Sequence, residues 1–281
     1  MHRKTLAGIH KGSGADDQSW EVFHENSKTS RYGGMPPDGV IVANMARLWE
    51  SLPFDRYQAV ELSSSFTPLG LSLEEAITAR ETARGMTHCR LTLENVGTIF
   101  HHAYGITRDE RQRGFPRAFR TVPSGGSLYP LELFFHTGGV EGLSTGIYHY
   151  NAIRHNLRFL QPGDKSAEIA KGLVQQNLTA DAAMIIFITA MFERSVFKYG
   201  DRGYRYVLLE AGHVAQNINL VATALGLGCV NIGGYFDRQI DDLLGLDGLT
   251  HSTVYIAAIG GRSGTPPQSQ QKSSSNGHHQ F

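Results

Sequence analysis

The chain has 281 residues, 41% hydrophobic, 10% aromatic and 19% charged, with 26 Lys and Arg balanced by 26 Asp and Glu. That apolar share can bury a sizeable core and excludes global disorder, while the zero formal charge excludes a global field drawing the chain to nucleic acid or an anionic membrane. The only cysteines, Cys89 and Cys229, lie far apart without a CxxC pair, which argues against a zinc knuckle or a disulfide framework and for two buried apolar thiols.

In chain order, residues 1–19 are polar and Gly-rich, and are expected to be flexible. They carry basic positions but no apolar h-region, and no run in the chain approaches the ~20 apolar residues of a membrane span, so a soluble, cytoplasmic protein is expected. Residues 20–70 hold EVFHENSK, the periodic stretch VIVANMARLWE, and breaks at Pro36, Pro37, Pro53 and Pro68. They read as an N-terminal extension, a lid or a partner-docking segment.

Dense helix and strand signals fill 71–262. Ser72 and Glu75 form a capping box that starts a helix running from about Leu73 to Arg80. Thr92 caps a second helix, with Leu93, Val96, Phe100 and Ala103 on one face and Gly105 at its end. LELFFH (131–136), GIYHY (146–150) and NLRFL (156–160) predict short strands joined by Gly-rich turns, and AAMIIFITA (182–190) a strand covered on both faces. The segment Tyr204 to Leu225 is helix-periodic and apolar around much of its circumference, which predicts deep burial in a core or a dimer interface. His213 on it reads as a hydrogen-bonded core histidine. CVNIG (229–233), a short helix near Asp237–Leu244 and TVYIAAIG (253–260) complete the pattern, and 263–281 is expected to be a disordered tail. The fold class is α+β: a mixed, mainly antiparallel sheet flanked by helices.

Chemistry-bearing residues occur in clusters. Arg80, Thr82 and Arg84 at the end of the first helix offer two guanidinium forks and a hydroxyl to a phosphate, although a solvated arginine pair has the same composition. In Pro123-Ser124-Gly125-Gly126-Ser127 the glycines permit close backbone approach to a flat ligand, or simply a turn. Gly233-Gly234 after a buried strand carries the same two readings. Gly260-Gly261-Arg262 ends the last strand and can aim an arginine at a phosphate. Lys198 and Tyr199 follow a buried strand, where α/β enzymes place their sites, and serve as acid or base if their surroundings tune them. A snorkelling lysine beside a packed tyrosine is the ordinary alternative.

The order of these clusters carries more than any one of them. RETAR (80–84), PSGGSLYPLEL (123–133), EGLSTGIYHY (141–150), FERSVFKYGDRGYRYVLLEAGHVAQN (192–217), ALGLGCVNIGGY (224–235) and AAIGGR (257–262) resemble the SagB-type dehydrogenases, nitroreductase-like flavoproteins that include thiazoline and oxazoline oxidases. The likeness spans about 71–262, and EVFHENSK resembles that family's N-terminal extension. The resemblance implies a nitroreductase-like homodimer with FMN at the interface. Arg80, Thr82, Arg84 and Arg262 would hold the phosphate, with Thr82 in place of the usual Ser and Glu81 where a second Arg is frequent. Pro123, Ser124 and Gly125, with Gly126 and Ser127 completing the turn, would meet the isoalloxazine, and Gly233 and Gly234 would lie near N5. Lys198 and Tyr199 would be catalytic, acting on a peptide or amino-acid-derived substrate, beside a cyclodehydratase or other biosynthetic partner. The alternatives are a NAD(P)H-dependent nitroreductase or flavin reductase, and a non-catalytic scaffold.

Overall fold

A computed structural model describes residues 19–31 and 34–263, so the expectations for the two chain ends fall almost wholly outside the described residues. Helices α1 (Ser19–Asn26) and α2 (Asp38–Arg47) precede β1 (Gln58–Glu61), α3 (Leu73–Ala79), β2 (Met86–Thr87) and α4 (Leu93–Tyr104). A small ribbon, β3 (Ile106–Arg108) and β4 (Phe119–Arg120), leads into β5 (Leu131–Thr137), β6 (Gly146–Asn151), β7 (Asn156–Pro162) and α5 (Ser166–Lys171). The chain finishes with β8 (Ala182–Met191), α6 (Glu193–Tyr199), α7 (Asp201–Ala224), β9 (Leu227–Ile232), α8 (Asp237–Leu244) and β10 (His251–Arg262).

The main sheet runs β1-β7-β6-β5-β8-β10-β2, and β9 also pairs with β10. All of its ladders are antiparallel; among the described residues only isolated bridges such as Thr82 to Cys229 are parallel. Side chains alternate between two cores, as the pleat requires. Leu133, Phe135, Ile186, Ile188, Ala257 and Ile259 face α4 and α7. Phe134, Ile185, Phe187, Ile256 and Ala258 face α5 and α8. Burial from both sides is why the central strands read as unbroken apolar runs.

The expected caps form: Ser72 accepts from the Glu75 N–H and Glu75 returns a bond to the Ser72 N–H, and Thr92 and Asn95 repeat the pattern. The extension contributes to the sheet itself, since Gln58–Glu61 pairs in register with Asn156–Phe159. The long helix begins at Asp201, three residues earlier than its periodicity predicts, and only part of its circumference is covered. Leu208 and Leu209 are 42% and 61% exposed, and His213 is exposed rather than a core histidine. Val207, Ala211, Val214 and Ile218 take the core side, and three- and four-residue spacing turns position 213 away from it.

Candidate active site

The phosphate candidates are gathered at one end of the sheet. Helix α3 stops at Arg80, whose ψ of 124° turns the backbone out into extended chain. That chain runs beside β9: Thr82 bridges Cys229, and the Ala83 N–H donates to the Cys229 carbonyl at 2.9 Å. It then forms β2, which pairs Met86 with Arg262 and Thr87 with Gly261. A Cβ at Gly261 would lie 2.5 Å from Thr87 Oγ1, so this glycine is required by the crossing of β2. Burial pushes the Cys229 thiol up to about 12, with Arg80 pulling the other way, which locates that guanidinium near β9.

Among the described residues the side chains of Arg80 and Arg84 have no hydrogen-bond or ion-pair partner, and Thr82 is exposed beside them. Arg262 is engaged, donating from Nε to Glu81 Oε1 at 2.9 Å and pairing with it again through its terminal nitrogen at 2.9 Å. The Glu81 carboxylate thus occupies the guanidinium with the kind of oxygen a phosphate would present. Unpaired cations, a free hydroxyl and an arginine already shaped around an oxyanion fit a phosphate group.

The second cluster forms around the turn before β5. Ser124 Oγ accepts the Tyr129 N–H at 2.9 Å, and Gly126, Ser127 and Tyr129 take φ of 63°, 53° and 48°. Left-handed backbone at two non-glycine residues is costly and persists only where surroundings enforce it. A Cβ at Gly126 would lie 2.6 Å from Tyr199 Oη and 2.8 Å from Lys198 Nζ. Both polar tips of the candidate catalytic pair therefore converge on the backbone of the glycine turn. Lys198 Nζ also lies 5.2 Å from the Tyr199 ring centroid.

Two supports hold this cluster. From outside, Ile41 and Met45 of α2 pack with Leu128, Phe197 and Tyr199. Arg117, buried, donates to the carbonyls of Leu128 at 2.7 Å and Met45 at 2.9 Å, joining that helix to the turn. From below, α6 is tied to the sheet by Arg194, whose guanidinium lies 2.6 Å from Glu132 on β5. His149 Nε2 lies 2.7 Å from the same carboxylate, and the Leu52 N–H donates to it at 2.9 Å. Burial raises the Glu132 carboxyl, but Arg194, His149 and Arg120 outweigh it and hold it well below the usual range.

Behind the turn sits Glu210 of α7, which receives the Tyr104 hydroxyl at 2.7 Å. Burial pushes its carboxyl up to about 7, against the nearby Ser124 hydroxyl, the Tyr104 hydrogen bond and the charges of Arg120 and Arg194, and its second oxygen, Oε2, is buried without a hydrogen-bond partner. Sequence reasoning passed over Glu210 and Glu132. A signal for Glu210 existed: it shares the stripe of Val207, Ala211 and Val214, where an unpaired carboxylate is out of place.

Gly233 and Gly234 lie exposed at the end of β9, beside Tyr255 and Val174. The two main clusters do not meet within one chain. Arg262 ends β10, whereas the turn feeds β5 at Leu131, level through Ala190 with Ser252 near the start of β10. At about 3.3 Å per residue that is roughly 30 Å along the strand. Among the described residues no helix is long and apolar enough to cross a membrane, and no group of three metal-ligating side chains assembles.

Residues 77–261 match the nitroreductase family. The chain is 39% identical over 174 residues to the nitroreductase-family protein MJ1384 of Methanocaldococcus jannaschii, covering 62% of this chain and 84% of that one. It is 30% identical over 149 residues to the microcin B17-processing protein McbC of Escherichia coli, covering 50% of this chain and 54% of McbC. The E. coli microcin synthetase McbBCD complex with truncated pro-MccB17 bound shares the fold at 22% identity and a TM-score of 0.55, over 86% of this chain and 91% of that one. The chain belongs to the nitroreductase family, and its likeness to McbC supports a place among the SagB-type, nitroreductase-like dehydrogenases.

Proposed function

We propose that the protein is an FMN-dependent dehydrogenase that desaturates a peptide or amino-acid-derived substrate, with azoline-to-azole oxidation as the leading reaction. The observation that carries this reading is the convergence of Lys198 Nζ and Tyr199 Oη on Gly126 of the glycine turn. When bound, FMN supplies the acceptor for two electrons leaving the substrate as hydride. Arg80, Thr82, Arg84 and Arg262 hold its phosphate; Pro123 to Ser127, Gly233 and Gly234 approach its ring. Lys198 and Tyr199 act as the pair that removes a proton from the substrate carbon adjacent to the one losing hydride. The turn and α6 fix that pair, so reacting atoms meet with little motion left to freeze. Dioxygen is the proposed terminal oxidant.

The likeness to McbC supports a peptide substrate and work beside other biosynthetic proteins, a cyclodehydratase among them. The separation of the two clusters supports a homodimer in which each flavin takes its phosphate residues from one chain and the glycine turn from the other. A second reading, NAD(P)H-linked nitroreduction, draws support from the likeness to MJ1384.

The test is the visible spectrum of the purified protein, followed anaerobically. Flavin bands that persist with NADPH but bleach with an azoline-containing peptide support the dehydrogenase. Bleaching by NADPH alone moves the assignment to a reductase, and no flavin after reconstitution with FMN removes both. Lys198→Ala and Tyr199→Phe are expected to retain FMN and lower turnover by about 10²- to 10⁴-fold, the scale of a lost acid–base group. Full turnover in either variant removes that residue from the chemistry.

A further inference from the structure

Three consecutive side chains near the start of α7 reach different parts of the fold. Tyr204 stacks on Phe192 with ring centroids 5.2 Å apart, and Arg205 donates to Ser27 Oγ of the extension at 2.7 Å. Tyr206 reaches the glycine turn. A Cβ at Gly125 would lie 3.1 Å from Tyr206 Cδ2 and 3.3 Å from its Cγ, so a residue without a side chain is what lets the turn rest this closely on the ring. The same ring meets Tyr199 edge to face, with centroids 4.9 Å apart and planes at 88°. The two glycines of the turn are thus fitted to different side chains, Gly125 to Tyr206 and Gly126 to Tyr199 and Lys198.

The backbone that carries these side chains is held at a tight corner. Helices α6 and α7 break at Gly200 and pack backbone to backbone at Gly203, where a Cβ would lie 2.9 Å from the Val196 Cα. Ser195 Oγ donates to the Gly203 carbonyl at 3.2 Å across that contact. Tyr199 ends α6 and Tyr206 stands on α7, so their rings meet across the corner. The Tyr206 hydroxyl has no hydrogen-bond partner among the described residues, which leaves the ring as its contribution to the contact.

We infer that Tyr206 is a positioning residue for the proposed catalytic pair: its ring is the shared wall that fixes the Tyr199 hydroxyl against the glycine turn. The inference rests on the proposed roles of Lys198 and Tyr199. An edge-to-face contact suits this task because it favours one angle as well as one distance, which an aliphatic side chain does not. A shift of the turn at Gly125 is passed through the ring to Tyr199. Misplacing a reacting group by about 1 Å can slow a reaction about 10²-fold, so a wall of this kind acts on rate rather than on substrate affinity.

The experiment measures kcat, KM and their pH profiles for oxidation of a synthetic thiazoline-containing peptide by the FMN-loaded full chain. The proteins compared are the native chain, Tyr206→Phe, Tyr206→Ala, Gly125→Ala and the double variant. Tyr206→Phe keeps the ring and is expected to match the native rate and pH profile. Tyr206→Ala is expected to lower kcat about 10²-fold with KM and the flavin spectrum unchanged, and to shift the pH limbs that report the pair. Gly125→Ala, whose methyl presses on the ring, should lower kcat about tenfold in the native background and have little further effect once Tyr206 is alanine. An unchanged kcat in Tyr206→Ala or in Gly125→Ala overturns the inference alone. So does a Tyr206→Phe as slow as Tyr206→Ala, which would put the hydroxyl in the chemistry, or a Gly125→Ala loss that is equal in both backgrounds. No turnover of the peptide by the native protein overturns the proposed function and the inference with it.

Discussion

At the scale of single residues, Glu81 and Gly126 make opposite contributions to the site. Glu81 is two-thirds exposed and Arg262 one-third, so their ion pair is worth little in stability but competes directly with any anion for the same guanidinium. Glu81→Gln is expected to raise FMN affinity by about threefold in low salt, and the gain should fade at high salt as screening weakens the original pair. Titration at two ionic strengths checks it; unchanged affinity in both would mean that Arg262 does not meet the phosphate. Gly126 is constrained twice, by its positive φ and by the two polar tips a methyl would strike. Gly126→Ala should displace Lys198 and Tyr199, so most turnover is lost while FMN, whose phosphate is proposed to sit at the far end of β10, stays bound. Loss of FMN with the turnover would place the turn's main role in cofactor retention instead.

At the scale of elements, α6 is a seven-residue helix that cannot be stable alone and depends on what fastens it. Arg194, Glu132 and His149 are 1%, 2% and 0% exposed, so removing the carboxylate strands the Arg194 charge in the core. Glu132→Gln is expected to cost about 3 kcal/mol or more and to lower turnover with it, because the helix that slips carries the proposed catalytic pair. Thermal unfolding and single-turnover rates on the same preparation check this. A variant that loses stability but keeps its rate would show that α2 alone positions α6. This fastening also marks where sequence reading stops. Helices α3 and α4 were legible because Ser72 with Glu75 and Thr92 with Asn95 announce their own starts, and β8 because seven apolar residues in a row, Ala182 to Ile188, permit little else. Strands β1 to β4 are two to four residues long, too short for any period to show, and exist only because a neighbouring strand pairs with them. Helix α6 was hidden for a related reason: Arg194 looks like a surface residue until β5 brings Glu132 to it.

At the scale of the whole molecule, every residue of the two clusters was visible in the sequence, but their separation was not. It is set by the register of β10 against β8 and of β8 against β5, which places the glycine turn near one end of β10 and Arg262 at the other. Covering roughly 30 Å with one flavin from one chain is not feasible, whereas a two-fold axis would bring the turn of one copy to the phosphate residues of the other. The uncovered apolar side chains are suited to such a contact: Leu208 and Leu209 on α7 and Leu73 and Ile77 on α3 are all exposed here. A site shared in this way has a consequence that a self-contained site lacks. Lys198→Ala and Arg262→Ala should each be inactive alone. When unfolded together, refolded and supplied with FMN, half of the dimers would be mixed, and each mixed dimer would carry one intact site and one doubly damaged one. Activity should return to about a quarter of the native level, the share of intact sites in a random mixture of copies. Recovery requires exchange of subunits, so simply combining the two folded variants should restore activity only as fast as dimers dissociate. No recovery after co-refolding, with flavin bound, would mean that Lys198 and Arg262 serve the same flavin from the same chain.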